Sequence, residues 1–82
     1  MFEDKYIKYT YDVDEWMGAD WDIGIEFTNK VEAISYAKRY KTPARVVRIS
    51  REYYRGGEDA HNSVDWVDIF FNKHCTEEIK HR

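Results

Sequence analysis

The chain has one cysteine, one proline and four glycines in 82 residues, and nowhere a long apolar run. A lone thiol, Cys75, excludes an internal disulfide framework and favours a reducing compartment. With no repeats, low-complexity tracts or linker composition, residues 1–82 read as one domain, in which 72–82 forms a short helical or frayed tail. No apolar stretch approaches the roughly 20 residues of a membrane span, and no signal-peptide pattern follows Met1. The expected location is therefore the cytoplasm. Soft metal ligands are scarce as well. His61, His74, Cys75 and His81 match no zinc spacing, and the neighbours His74 and Cys75 diverge on a strand or a helix. The same divergence argues against a Cys–His nucleophilic pair. Gly56–Gly57 lacks the Lys-Ser/Thr that would follow in a phosphate loop. Asp12-x-Asp14 opens like a calcium-binding loop, but Trp16 stands where the next ligand belongs, the glycine is displaced to Gly18, and Ile23 stands where the bidentate glutamate belongs. The expectation is a non-enzyme with no metal and no cofactor.

Aromatic residues and charge are what the chain has in quantity. Seven Tyr, four Phe and three Trp, each able to bury about 150–250 Å², offset the thin margin of a short chain. The charge is sorted by position. Residues 1–26 carry Glu3, Asp4, Asp12, Asp14, Glu15, Asp20, Asp22 and Glu26 against Lys5 and Lys8, a net of −6. Residues 27–55 set Lys30, Lys38, Arg39, Lys41, Arg45, Arg48, Arg51 and Arg55 against Glu32 and Glu52, a net of +6. The remainder brings the total to −3. Such sorting suggests a surface that meets a charged partner.

Periodicity predicts five elements. Lys5–Val13 alternates, with Ile7, Tyr9, Tyr11 and Val13 on one face, and reads as a strand. Asp14–Asp20 reads as an acidic loop, and Trp21–Phe27 as a second strand whose Trp21, Ile23, Ile25 and Phe27 share a face. The short connection makes the two a hairpin. Asn29 followed by Glu32 resembles a capping box, and Ala33, Ile34, Ala37 and Tyr40 recur at helical spacing, so 29–41 reads as a helix closed by Pro43. Arg45–Arg51 is β-branched and reads as a third strand, with Val47 and Ile49 towards the helix. A turn from about Arg55 to Asn62 leads to a fourth strand, Val64–Phe71. Thr76 before Glu77 and Glu78 is a candidate cap for a last helical turn.

The order is β-β-α-β-β, a small α+β domain whose four-stranded, mostly antiparallel sheet carries one helix on one face. Its expected core packs Ile34, Ala37 and Tyr40 onto Tyr9, Ile23, Ile25, Val47, Ile49, Val67 and Ile69. The uncovered face is expected to carry Lys8, Thr10, Asp12, Asp22, Glu26, Val46, Arg48, Ser50, Trp66, Asp68 and Phe70. Trp66, Phe70 and Val46 stand out there as an apolar cluster of the kind that marks a contact site.

Two functional readings follow. In the first, Asp12, Asp14, Glu15, Asp20, Asp22 and Glu26 line up beside Trp16 as a protein-binding surface. The acids steer towards a basic, nucleic-acid-binding surface of the partner, and Trp16 anchors. The plain alternative is a solvated hairpin whose acids pair with Arg45, Arg48 and the helix lysines. In the second, Arg45, Arg48, Arg51, Tyr53, Tyr54 and Arg55 offer phosphate contacts and stacking faces to a nucleic acid. Strand alternation points Arg48 away from Arg45 and Arg51, the chain is acidic overall, and no RNA-binding signature is present. A homo-oligomer through the Trp66 and Phe70 face or an edge strand is a third possibility.

The stretch Val31–Glu32–Ala33–Ile34–Ser35–Tyr36–Ala37–Lys38–Arg39, followed by the strand Ala44–Ile49, completes a layout that resembles the small phage-encoded anti-CRISPR proteins. The resemblance covers size, lone helix, sheet and charge partition over most of the chain. Those families share no common motif, so no residue role carries over. It implies stoichiometric binding to a CRISPR effector nuclease at its DNA-binding surface, without catalysis, as a device of host defence evasion acting in the host cell cytoplasm.

Overall fold

The alternation that begins at Lys5 runs on past Val13. Strand β1 (Lys5–Trp16) therefore takes in Asp14, Glu15 and Trp16, and only Met17–Asp20 remains as the loop. The computed structural model describes residues 5–54 and 61–82, with side chains at 6–53 and 65–82. The loop closes by a Met17 N–H to Asp20 carbonyl bond of 2.9 Å and turns at Gly18, whose φ of +99° suits glycine. Then follow β2 (Trp21–Phe27), α1 (Lys30–Lys38), β3 (Ala44–Tyr54), β4 (His61–Phe71) and a last turn of helix, α2 (Glu77–Lys80). The turn expected from Arg55 falls on 55–60, outside the described residues; His61 and Asn62 already belong to β4.

All strand pairs are antiparallel, in the order β2-β1-β3-β4. The expected α+β architecture is thus present: two hairpins side by side, with the chain crossing from the outer strand β2 through α1 to β3. Helix α1 starts where Asn29 Oδ1 accepts the Glu32 N–H at 3.0 Å. It ends in short bonds from Arg39 N–H to Tyr36 and from Tyr40 N–H to Ala37. Thr76 caps α2 in the same manner, accepting from the Ile79 N–H at 3.2 Å.

The helix lies on Val13, Ala44 and Val46 through its small residues Ala33 and Ala37, all five fully buried. Tyr11, Phe27, Ile34, Tyr36, Tyr40, Ile69 and Phe70 close around them. This core corrects three expected orientations. In β3, Val46 rather than Val47 and Ile49 lies under the helix; the latter two are buried on the opposite face. In β2, Gly24 and Ile25 together face the single residue Val13 of β1, between Asp12↔Glu26 and Asp14↔Ile23, and form a bulge. It sends Trp21 and Ile23 to one side of the sheet and Phe27 to the other. Gly24 is required there, because a Cβ would stand 2.6 Å from the Val13 carbonyl oxygen. In β4, Val46↔Phe70 is followed by Val47↔Asp68, so Ile69 is an extra residue and both Ile69 and Phe70 reach the helix side. Tyr9, Ile23, Ile25 and Val67, expected in the core, are exposed.

Asn72 ties the base of this core together. Its Oδ1 accepts from the Ala44 and His74 N–H groups at 3.1 Å each, and its Nδ2 donates to the Ala37 and Thr42 carbonyls at 3.3 and 2.9 Å. Helix end, β3 start and β4 end thus meet on one side chain that is 4% exposed.

The sheet is much longer than its helix. Nine residues of α1 span about 14 Å, whereas eleven of β3 span roughly 36 Å. The molecule measures 50 × 23 × 16 Å with a radius of gyration of 14.9 Å, against about 12 Å for a compact chain of this length. No helix among the described residues is long and apolar enough to cross a membrane.

Candidate functional site

The helix-free face of the sheet is read from the pairing register, since residues paired across antiparallel strands share a face. From the hairpin end, its successive rows are Trp21 and Trp16; Ile23, Asp14, Arg45 and Phe71; Glu26, Asp12, Val47 and Asp68; Ile49 and Trp66 with Thr10; Arg51 with Lys8; and Tyr6 with Tyr53. Lys8, Thr10, Asp12, Glu26, Trp66 and Asp68 lie where the sequence placed them. Val46, Arg48, Ser50, Asp22 and Phe70 do not: they pair with Val13, Tyr11, Tyr9, Glu15 and Val46, all on the helix side. The two bulges and the phase of β3 account for Val46 and Phe70, and the same phase carries Arg48 and Ser50.

A groove of about 410 Å³ runs across this face. Val47 and Ile49 form its floor, Trp66 of β4 and Ile23 of β2 its walls, and Asp12, Asp14, Arg45, Arg51 and Trp21 its remaining lining. Trp66 is 64% and Ile23 63% exposed. Two large apolar side chains thus stand in solvent on either side of an apolar floor.

The charges around the groove are interlocked. Arg45 Nε donates to Asp14 Oδ2 at 3.0 Å, and its guanidinium reaches Asp68 at 3.5 Å while lying over the Trp21 ring at 4.3 Å. Trp21 meets Trp16 edge-on at 5.3 Å and Phe71 at 6.4 Å. Arg51 donates to Thr10 Oγ1 at 3.1 Å and approaches Glu26 at 3.7 Å. Asp14 is only 2% exposed, and its Oδ1 is enclosed with no hydrogen-bond partner among the described residues, as is Trp21 Nε1. Burial pushes the Asp14 carboxyl above its ordinary range, against the hydrogen bond and charge of Arg45. Burial also raises the Asp12 carboxyl, helped by the neighbouring Glu26 and opposed by Arg51.

The acids predicted as one row therefore separate. Asp12, Asp14 and Glu26 face the groove. Glu15 and Asp22 pair on the other side, where Glu15 Oε2 accepts from Thr42 Oγ1 at 2.8 Å. Asp20 is exposed in the loop. Trp16, the predicted anchor, is half-buried against Trp21 rather than projecting.

The basic candidates separate too. Arg45 and Arg51 lie on the groove face among carboxylates, while Arg48 lies on the helix side over Tyr9 at 5.0 Å. Tyr53 stacks on Tyr6 at 5.5 Å. Tyr54 ends β3, and Arg55 and the side chain of Tyr54 are outside what is described. Cys75 is a free thiol whose Sγ lies 3.3 Å from the Ala44 carbonyl; burial raises its pKa. No three His, Cys, Asp or Glu side chains group as metal ligands among the described residues.

Trp21, Ile23, Val47 and Ile49 are the groove residues that sequence reasoning missed: the alternation of Trp21 and Ile23 with Phe27 concealed the bulge, and the apolar run of β3 hid its phase. No family model matches the chain, and no curated protein or solved structure matches it at a significant level.

Proposed function

We propose that the chain is a non-catalytic protein-binding module, with the groove face of the sheet as its interface and a basic surface as its partner's contribution. The observation that carries this reading is the pair Trp66 and Ile23, both mostly exposed across an apolar floor. Exposed tryptophan beside aliphatic surface is the composition of an interface centre, where a few large side chains supply most of the affinity. The surrounding charge favours a cationic partner: Asp12, Asp14, Glu26 and Asp68 outnumber Arg45, Arg51 and Lys8, and Asp20 and Asp22 extend negative charge along the hairpin end. A partner with a nucleic-acid groove supplies such a basic surface. In its finer form the proposal is an inhibitor of a bacterial defence nuclease, as the resemblance to anti-CRISPR proteins implies.

The test is affinity capture from nuclease-treated bacterial lysate by the wild-type chain, by Trp66→Ser with Ile23→Ser, and by the exposed helix control Val31→Ser. A stoichiometric partner held by wild type and control but lost by the double variant is the expected result. A partner held equally by all three removes the groove face from the interface. Retention of nucleic acid alone when the nuclease treatment is omitted, weakening steeply with salt, would replace this reading with the basic-segment one.

A further inference from the structure

On the reading that this face binds a basic protein, we propose that the groove receives an arginine side chain of the partner, its guanidinium set against Asp12 and stacked on Trp66. Of the seven charged groups on this face around the groove, Lys8 lies over the Tyr6 and Tyr53 rings and five others are engaged with one another. Arg45 bonds Asp14 and reaches Asp68, and Arg51 reaches Glu26. Asp12 remains, with no hydrogen bond or close ion pair among the described residues and only the charge of Arg51 acting in its favour, next to Glu26 and half-buried beside an apolar floor. Asp14 adds an enclosed Oδ1 that no donor among the described residues reaches. Four carboxylates against two guanidinium groups and the Lys8 ammonium leave this face a net charge of −1, with Asp14 buried and Glu26 and Asp68 open to solvent.

The missing complement is a planar cation with several donors. A guanidinium fits a carboxylate through parallel N–H bonds and stacks on an indole face, which a compact ammonium does less well. Trp66 offers that face at the open side of the groove, one row from Asp12 across Val47 and Ile49. The fold already shows the arrangement once, in Arg45 lying over Trp21 while bonded to Asp14. A phosphate or a carboxylate-rich ligand would meet Asp12 as a like charge, so the occupant is a cation and not a nucleic acid.

The experiment titrates the ¹⁵N-labelled chain with the peptide acetyl-Gly-Ser-Arg-Ser-Gly-amide and with its citrulline counterpart, which keeps the shape and loses the charge. The indole N–H resonances of Trp66 and Trp21 report. A saturable shift at Trp66 with the arginine peptide, at least about tenfold weaker with citrulline, is expected. The response should vanish in Asp12→Asn, whose spectrum must keep the dispersion of the folded chain. No shift at millimolar arginine peptide, an equal shift with citrulline, or an undiminished shift in Asp12→Asn overturns the assignment. The two readings fail separately: Trp66-dependent capture of a protein partner without any response to the arginine peptide removes the arginine pocket and leaves the protein interface.

Discussion

Arg45 and Asp14, paired across neighbouring strands of the sheet, share a 3.0 Å hydrogen bond although the carboxylate is almost wholly buried. Removing the guanidinium strands a buried charge, a far larger loss than the pair's own net contribution. Arg45→Met should therefore lower the unfolding free energy by about 3–5 kcal/mol, read by urea denaturation. Adding Asp14→Leu to it should recover much of that loss. A double variant no more stable than the single one would show that the pair does not act as a unit.

Asn72 satisfies four backbone groups from helix end, β3, the connecting loop and its own tail. Asn72→Ala removes this partner from the Ala44 and His74 N–H groups and the Thr42 carbonyl, at about 1–3 kcal/mol for each buried group. The expected cost is at least about 2 kcal/mol in chemical denaturation, with Asn72→Asp also destabilised because it keeps the acceptor and loses both donors. Wild-type stability in either variant would contradict the role.

At Gly24 the obstacle is backbone, since the added Cβ of Gly24→Ala would stand 2.6 Å from the Val13 carbonyl oxygen. Neither strand has a flexible tip to move aside. Overpacking of this kind costs about 1–3 kcal/mol. The midpoint of thermal unfolding should fall, and the chemical shifts of Val13 and Ile23 should move with the displaced bulge.

Acid should relieve the groove. The Asp12 carboxyl is raised, by burial first and then by Glu26, so its folded pKa exceeds its unfolded one. The folded state then holds the proton more tightly, and the charged form opposes folding at neutral pH. That opposition fades as pH falls through the folded pKa towards the ordinary carboxylate value of about 4. Asp12→Asn should accordingly have a higher Tm than wild type at pH 7, and the difference should close on acidification in a calorimetric series. A constant difference across that range would place the effect elsewhere.

Asp20 and Asp22 are both exposed at the hairpin end, so their neutralisation to Asn leaves the fold intact. Once a partner is in hand, this double change should slow association by up to roughly tenfold at low salt with little change in dissociation. Surface plasmon resonance at two ionic strengths checks it.

Element order, both hairpins and both helix caps were legible because each rests on local signals: alternation, Asn29 and Thr76 before acids, and Pro43. Facing was harder. Val46 and Val47 are adjacent and alike, so the apolar run of β3 carries no phase, and it is the Val13↔Val46 pairing that decides it. Gly24 reads as an ordinary weak strand residue until its neighbour's carbonyl is seen. Ile69 is invisible as a bulge because its side chain is as apolar as those around it. At the site, the residue types were in view but the pairings were not. Asp14 was counted with the exposed acids, and only the register shows that Arg45 stands opposite.

The short helix on the long sheet divides the molecule into unequal halves. Near Asn72 the strands are clamped by α1 and by the bonds of one side chain, whereas at Tyr6 and Tyr53 the backbone ladder is accompanied by a stacked ring pair with the Lys8 ammonium over both rings. The sheet is thus a zip fastened at one end. Amides around Val13 and Val46 should exchange with solvent deuterium only when the whole chain unfolds, and protection should decline row by row towards Tyr6.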